Sequence, residues 1–317
     1  MELSIVVPVF NEEENLEPLL GEIRRALAPV TKSYEIITID DGSTDGTFAV
    51  LRRLYHCDPA LHIIRLKRNF GQTAALAAGL AYASGEVVVL MDGDGQNDPA
   101  DIPALLAKIR EGNDLVAGWR HDRKDPFFSR RLPSMIANRL ISWTTKVKLH
   151  DYGCTLKAMR KEIAKGLRLY GEMHRFIPAI AYERGARVAE LKVNHRPRLR
   201  GISKYGISRT LRVALDLMTV KFLSSYSTRP AHVFGLIGVV SGLSGFVIAL
   251  YLTIQKFAYD VELGSRPLLL LAILLIFIGI QFVTMGLLGE MLARTYHESQ
   301  DRSVYVVGEI LQGGGST

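Results

Sequence analysis

The stretch Val87-Val88-Val89-Leu90-Met91-Asp92-Gly93-Asp94-Gly95-Gln96 sets a continuous apolar run directly against two carboxylates one residue apart. A short run that is apolar at every position reads as a strand covered on both faces. Its charged end then emerges at a sheet edge, and a parallel sheet carries its ligand crevice outside the carboxyl ends of its strands. Oxygen side chains at this spacing suit a hard divalent cation, Mg2+ or Mn2+, with Asp92 and Asp94 as ligands and the Gln96 carbonyl as a third. Such an ion keeps positions open for phosphate oxygens, so it would bridge a diphosphate and neutralise charge on the leaving group. Gly93 and Gly95 let the backbone approach a ligand closely. An Asp-x-Asp also occurs in many exposed turns; its place after a buried strand is what gives it meaning here.

Outward from this point the same pattern recurs. Leu3–Val9, Tyr34–Asp40 and His62–Leu66 read as further strands, and Asn15–Leu27, Thr47–Tyr55 and the Ala-rich Thr73–Ala83 as helices. Apolar strands alternating with helices predict an α/β domain with a mostly parallel sheet covered on both faces. Pro8 to Glu12 follows the first strand and Asp40-Asp41 the second, so three strand ends converge on one site. A carboxylate there can accept from a base N–H or a ribose hydroxyl, which points to nucleotide recognition. The turn Asp41-Gly42-Ser43-Thr44-Asp45-Gly46 also reads as a helix start, with Ser43 or Thr44 as the cap.

Lys and Arg total 39 against 32 for Asp and Glu, a net charge of +7. That excess suits an anionic partner: nucleic acid, a membrane surface or a phosphorylated substrate. Cys57 and Cys154 stand far apart, outside any zinc or disulfide spacing, and imply a reducing compartment. The opening MELSIVVPVF reads as a strand rather than a signal peptide.

Val233–Ile254 and Leu268–Leu288 contain no charged residue, and each is long enough to cross roughly 30 Å of hydrocarbon. The connection Gln255–Pro267 makes them a hairpin with both ends on one side of a membrane. Lys221, Arg229, Arg294 and Arg302 flank it, which by the positive-inside rule places the catalytic part in the cytoplasm. The predicted layout is a catalytic domain over 1–205, an amphipathic helix over 206–230, the two spans within 231–290 and a cytoplasmic tail over 291–317. Segments 132–147 and 206–230 mix bulky apolar residues with Arg and Lys, as helices lying in a membrane interface do; the first equally suits a core-facing helix. In the tail, Ser303–Val307 reads as a strand able to pair with another subunit's sheet.

Four motifs stand in order: Pro8-Val9-Phe10-Asn11-Glu12, Asp40-Asp41-Gly42-Ser43, Asp92-Gly93-Asp94 and Arg200-Gly201-Ile202-Ser203-Lys204-Tyr205. Together they closely resemble the inverting family 2 glycosyltransferases of GT-A fold. Within these the chain is similar to polyisoprenyl-phosphate glycosyltransferases, namely dolichol-phosphate mannose synthases and bacterial undecaprenyl-phosphate glucosyltransferases. The two apolar spans match the bacterial branch, so the resemblance covers nearly the whole chain. Glycines stand where that family often has Asp-Ala-Asp-Leu-Gln. The resemblance implies that Pro8, Phe10, Glu12, Asp40, Asp41, Gly71 and Asp92 bind the nucleotide, while Asp92, Asp94 and Gln96 hold the metal. It implies an acceptor phosphate site of Arg120, Arg131, Ser134, Arg200, Ser203 and Lys204, with Asp94 and Asp151 as the catalytic carboxylates.

Arg offers phosphate a planar fork and Lys a movable point charge, which supports the last basic group independently. A phosphate monoester is mostly dianionic at pH 7, so as a nucleophile it scarcely needs a base; Asp151 would then orient, or act as a base. The resemblance further implies a nucleotide-sugar donor, a polyisoprenyl phosphate acceptor, a membrane location, a homotetramer and no nucleic acid partner. UDP-glucose is the first expectation for the donor, with GDP-mannose, UDP-galactose and an aminoarabinose donor as alternatives. Rival classes are a polysaccharide synthase, which usually carries more spans, and a non-catalytic membrane scaffold, which would not need an intact Asp92, Asp94 and Gln96.

Overall fold

A computed structural model describes residues 1–121, 147–169, 173–196, 230–259, 267–299 and 304–312. They fall into two compact units: Met1–Val220 with Ser303–Thr317, and Lys221–Arg302. The amphipathic segments expected over 132–147 and 206–230 lie almost wholly outside the described residues.

The first unit begins with β1 (Leu3–Val9), α1 (Glu13–Leu27), β2 (Tyr34–Asp40), α2 (Thr47–Tyr55), β3 (Leu61–Leu66), α3 (Gln72–Tyr82) and β4 (Val87–Leu90). It continues with α4 (Ile102–Arg110), β5 (Leu115–Arg120), β6 (Lys157–Arg160), α5 (Lys161–Gly166), α6 (Ile177–Glu183) and β7 (Val188–Val193). Among the described residues the sheet has eight strands in the order β7-β5-β6-β4-β1-β2-β3-β8, where β8 is Val307–Leu311. The pairs β1–β2, β1–β4, β2–β3 and β5–β7 are parallel. β6 runs antiparallel between β4 and β5, and β8 antiparallel along β3. The sheet is therefore mostly parallel but mixed, with the carboxyl ends of β1, β2 and β4 on one edge.

Burial follows from pattern. Every residue of β1 is buried, as the continuous apolar run requires. On α1 the buried set Leu16, Leu19, Leu20, Ile23 and Leu27 repeats at helical spacing, with Glu13 and Glu14 in the first turn and Arg24 and Arg25 in the last. Both placements complement the helix dipole. α3 is covered nearly all round and made of small residues because it lies hard on the sheet. A Cβ at Gly79 would come 2.3 Å from Val6 Cγ1 and 2.7 Å from Ile39 Cδ1.

The C-terminal strand corrects the expectation for the tail. It lies at Val307–Leu311 instead of Ser303–Val307, and it extends this chain's own sheet. Lys67 N–H donates to Val306 O at 3.0 Å, and the ladder shifts register between Arg65 and Leu66. The apolar run marks a strand but cannot set its register, because β3's edge decides which residues pair.

The second unit holds α7 (Pro230–Tyr259) and α8 (Pro267–Ser299). Phe234–Ala258 and Pro267–Leu288 are long and apolar enough to cross a membrane. Glycines bring the helix backbones together: a Cβ at Gly279 would meet Gly238 O and Gly242 N, both at 2.7 Å. A Cβ at Gly245 would come as close to Ala272 O. Small residues that let backbones approach are how helices associate where no hydrophobic force separates them from lipid.

Gly79→Val should overpack the face between α3 and the sheet, and cost about 1–3 kcal/mol. A lowered midpoint for the first unit in denaturant unfolding would show this, and an unchanged midpoint would refute the close packing.

Candidate active site

The loops after β1 and β2 are tied together. Asp41 N–H donates to Val9 O at 2.9 Å and Asn11 N–H to Ser43 Oγ at 3.0 Å. Thr44 N–H donates to Asn11 Oδ1 and Glu12 N–H to Thr47 Oγ1, both at 2.9 Å. Asn11 makes these bonds with φ of 57°, a conformation Asn tolerates better than most residues. Ser43 and Thr44 thus face the β1 loop and do not cap α2, as the turn motif had suggested; α2 starts after Gly46 without a side-chain cap, and Asp45 Oδ1 accepts from Thr47 N–H at 3.0 Å.

Asp40 and Asp41 hold backbone and neighbouring charge. Asp40 is fully buried; its Oδ1 accepts from Ser43 N–H at 2.9 Å, and Oδ2 lies 3.5 Å from Arg65 Nε. The Arg65 guanidinium also lies over the Phe48 ring, 4.2 Å from its centroid. Asp41 accepts from Phe70 N–H at 2.7 Å and Gly71 N–H at 2.9 Å. Burial raises the Asp41 pKa, these two bonds pull it back, and the charge on Asp40 adds to the rise. Gly71 has φ of +93°, which only glycine adopts without strain, and opens the turn into α3. Pro8, Phe10 and Glu12 lie on the β1 side of this edge, Asp40, Asp41 and Gly71 on the other.

The Asp-Gly-Asp loop emerges from β4 between these loops and β6. A Cβ at Gly93 would meet Val9 Cγ1 at 2.5 Å and Pro8 O at 3.1 Å, so glycine alone fits beside β1. Gln72 Nε2 donates to Asp92 Oδ1 at 2.7 Å, and Asp94 Oδ1 accepts from Gln96 N–H at 3.1 Å. Burial pushes the Asp92 carboxyl up to about 6, and the neighbouring Asp94 charge adds to the rise; Thr155, Lys157 and Arg120 oppose it. Gln72, Thr155 and Lys157 escaped the sequence reading. Thr155 and Lys157 reach Asp92 only because β6 inserts antiparallel next to β4, and no local pattern announces that pairing.

The floor beneath Asp92 is ionic. Asp151 is 3% exposed and grips Arg120 in a two-pronged pair, Nε to Oδ2 at 2.6 Å and Nη2 to Oδ1 at 2.9 Å. Burial works against the Arg120 charge, but the Asp151 pair more than offsets it and keeps its pKa raised. Glu190 Oε1 accepts from the N–H groups of His150 and Asp151, which sets the Asp151 loop. The two-pronged pair makes Asp151 the anchor of Arg120. Lys157 is buried, donates to Cys154 O, and has its pKa lowered by burial. Burial pushes the Cys154 thiol up to about 11, leaving it inert.

Of the basic segment after β7, Arg196 is described. It pairs with Glu22 at 2.6 Å and Asp98 at 2.8 Å, and its N–H donates to Gln96 O at 2.9 Å. Arg196 therefore braces the Asp-Gly-Asp loop. Arg131, Ser134, Arg200, Ser203 and Lys204 lie outside the described residues.

Among the described residues no group of three or more His, Cys, Asp or Glu side chains gathers to form a cation cage. Two carboxylates one residue apart, with the Asp92 pKa raised by burial and by the charge of Asp94, do fit a hard cation that takes its remaining oxygens from substrate. Gln96 Nε2 points to Arg196 O at 3.4 Å, leaving the amide oxygen as the third donor.

A model for glycosyl transferase family 2 matches residues 4–168. The chain belongs to that family. Its fold also resembles glucosyl-3-phosphoglycerate synthase from Mycobacterium tuberculosis, solved with Mn2+ and UDP-glucose, at TM-score 0.52 and 19% identity over 69% of this chain and 78% of that one. This family 2 glycosyltransferase is 46% identical to a dodecaprenyl-phosphate galacturonate synthase of Rhizobium johnstonii, over 98% of this chain and 93% of the relative. It is 37% identical, with the same coverage, to an undecaprenyl-phosphate 4-deoxy-4-formamido-L-arabinose transferase of Shewanella sediminis.

Two outcomes follow for this glycosyltransferase. Gly42 has φ of +68°, and a Cβ there would lie 2.4 Å from the Arg68 carbonyl carbon. Gly42→Ala should shift the loop that Asp41 holds, cost more than about 1 kcal/mol and weaken nucleoside diphosphate binding about tenfold by calorimetry. A protonated carboxyl is no ligand, so Mn2+ affinity should fall about fivefold from pH 6 to pH 5 and stay nearly flat from pH 7 to 8. An affinity independent of pH across that range would show that Asp92 is not a ligand.

Proposed function

We propose that this enzyme transfers a sugar from a nucleotide diphosphate to the phosphate of a polyprenyl phosphate lipid, inverting the anomeric centre. The observation that carries this reading is similarity to two polyprenyl-phosphate sugar transferases across 98% of the chain, both apolar helices included. The intact Asp92, Asp94 and Gln96 at the end of β4 supply the donor chemistry that a non-catalytic scaffold would lack.

In this reading the tied loops after β1 and β2 bind the nucleoside through Pro8, Phe10, Glu12, Asp40 and Asp41, with Gly71 closing the pocket. Asp92, Asp94 and Gln96 would hold Mg2+ or Mn2+, and such an ion would supply positive charge for the diphosphate leaving group. Arg120, kept charged and aimed by Asp151, attracts the acceptor phosphate, joined by Arg131, Ser134, Arg200, Ser203 and Lys204. The acceptor is already mostly dianionic at pH 7, so no side chain needs to remove a proton from it. The protein's part is to hold two anions together long enough for in-line attack, and to stabilise the charge that leaves. The two apolar helices anchor the chain in a membrane, with the catalytic unit on the cytoplasmic side.

For the sugar, the 46% relative favours a galacturonosyl donor over the glucose first expected, and the 37% relative makes a modified arabinose the next choice. A panel of nucleotide-linked galacturonate, glucose, mannose and arabinose derivatives, tested against undecaprenyl and dodecaprenyl phosphate, decides this. Radiolabel in the lipid extract from galacturonate alone is the expected result; label only in aqueous polymer would make the enzyme a polysaccharide synthase. In the same assay Asp94→Ala should lower transfer at least about a hundredfold while its unfolding midpoint stays near wild type. Retained activity would remove the carboxylate pair from the mechanism.

A further inference from the structure

The loop that carries Asp151 is gripped from the opposite face of the sheet. Glu190 on β7 is in register with Ala117 of β5, and Lys192 with Trp119. Side chains alternate across a strand, so Glu190, Lys192 and Trp119 share one face while Arg120 points to the other. The loop meets the end of β5 with His150 and Asp151 and places one side chain on each face. The His150 ring stacks on Trp119, with centroids 4.1 Å apart and planes 15° from parallel. On the far side Asp151 pairs with Arg120 through both its oxygens.

Glu190 gives both its oxygens to this loop. Oε1 accepts from the N–H groups of His150, at 2.8 Å, and of Asp151, at 3.0 Å, and Oε2 lies 2.7 Å from His150 Nδ1. Two successive backbone N–H groups on one oxygen fix the direction of the chain there, and with it the point from which the Asp151 carboxylate starts. The Glu190 side chain is 13% exposed, and a carboxylate so far removed from water is costly unless its oxygens are met. Lys192, on the same face, lies over the Trp119 ring instead, 5.2 Å from its centroid. The donors that meet Glu190 are therefore those of the loop.

A guanidinium pairs with both oxygens of a carboxylate only when the two planar forks face each other. A shift of about 1 Å in a group that positions substrate can cost on the order of a hundredfold in rate, so what holds Asp151 matters as much as Asp151 itself.

We propose that Glu190 is a positioning residue for the transfer: it fixes the His150–Asp151 backbone, which aims Asp151, and Asp151 aims Arg120 at the acceptor phosphate. The inference rests on the proposed function, in which Arg120 attracts that phosphate. Glu190 touches neither substrate.

Steady-state transfer by the full-length enzyme in phospholipid vesicles tests it, with undecprenyl phosphate replaced by no analogue: undecaprenyl phosphate is the acceptor and the nucleotide sugar selected by the donor panel is the donor. Glu190→Ala should raise the acceptor KM about tenfold and leave the donor KM within about twofold. Glu190→Gln keeps an oxygen for the two N–H groups and should bring the acceptor KM back to within about threefold of wild type. Should Glu190→Ala not fold, Glu190→Asp, one carbon shorter, is measured in its place and should move the acceptor KM in the same direction. Arg120→Lys keeps a charge but loses the fork; it should itself raise the acceptor KM, and Glu190→Ala added to it should change that value by less than about twofold. An unchanged acceptor KM in the Glu190 variants, equal rises in both KM values, no rescue by Glu190→Gln, or full additivity with Arg120→Lys would each overturn the proposal while the transferase reading stands. Absence of label in lipid from every donor in the panel would instead overturn that reading, and the proposal with it.

Discussion

Asp92 and Asp94 stand one residue apart at the end of a buried strand, where burial already disfavours charge. Much of the catalytic unit bears on that conflict. Gln72 from the start of α3 and Thr155 before β6 offer Asp92 hydrogen bonds, and Lys157 and Arg120 lie near enough to counter its charge. These groups reduce the strain without removing it, and the carboxyl still titrates near 6. A site in this condition gains from a divalent cation, and a divalent cation held by few protein oxygens gains from a diphosphate. On the proposed function, donor binding and metal binding would therefore support each other electrostatically.

Carboxylates elsewhere at the edge do a different task. Asp40, Asp41 and Asp151 each hold something: a turn, a loop, a guanidinium. Asp41 is the clearest case, because both its oxygens accept backbone N–H bonds from residues that open α3. Such groups shape the pocket and give it sign, while Asp92 and Asp94 keep their capacity for a ligand. The division follows from what lies within reach of each oxygen. It leaves Asp151 paired to Arg120 through both its oxygens.

The hairpin of α7 and α8 solves its packing by removing side chains. Gly238, Gly242, Gly245 and Gly279 bring two backbones into contact where side chains would hold them apart. The opposite face of α8 remains large, apolar and exposed apart from Gln281 and Thr284, as a surface in contact with lipid or another helix must be.

By itself the sequence determined the α/β class, the strands β1 to β4, the convergence of three strand ends and the two apolar helices, since each is a local pattern of burial that must show in composition and period. The placement of Asp92, Asp94 and Gln96 just after β4 was legible for the same reason: a strand end, two charges and the glycines between them are neighbours in the chain. Only the tertiary structure decided that β6 lies antiparallel beside β4, bringing Thr155 and Lys157 to Asp92, and that Asp151 clamps Arg120 across 31 residues of chain. It likewise decided that β8 starts at Val307 and completes this chain's own sheet. Such pairings depend on which edge is open and which charge is already buried. Those are properties of the assembled sheet, and no window of neighbouring residues contains them.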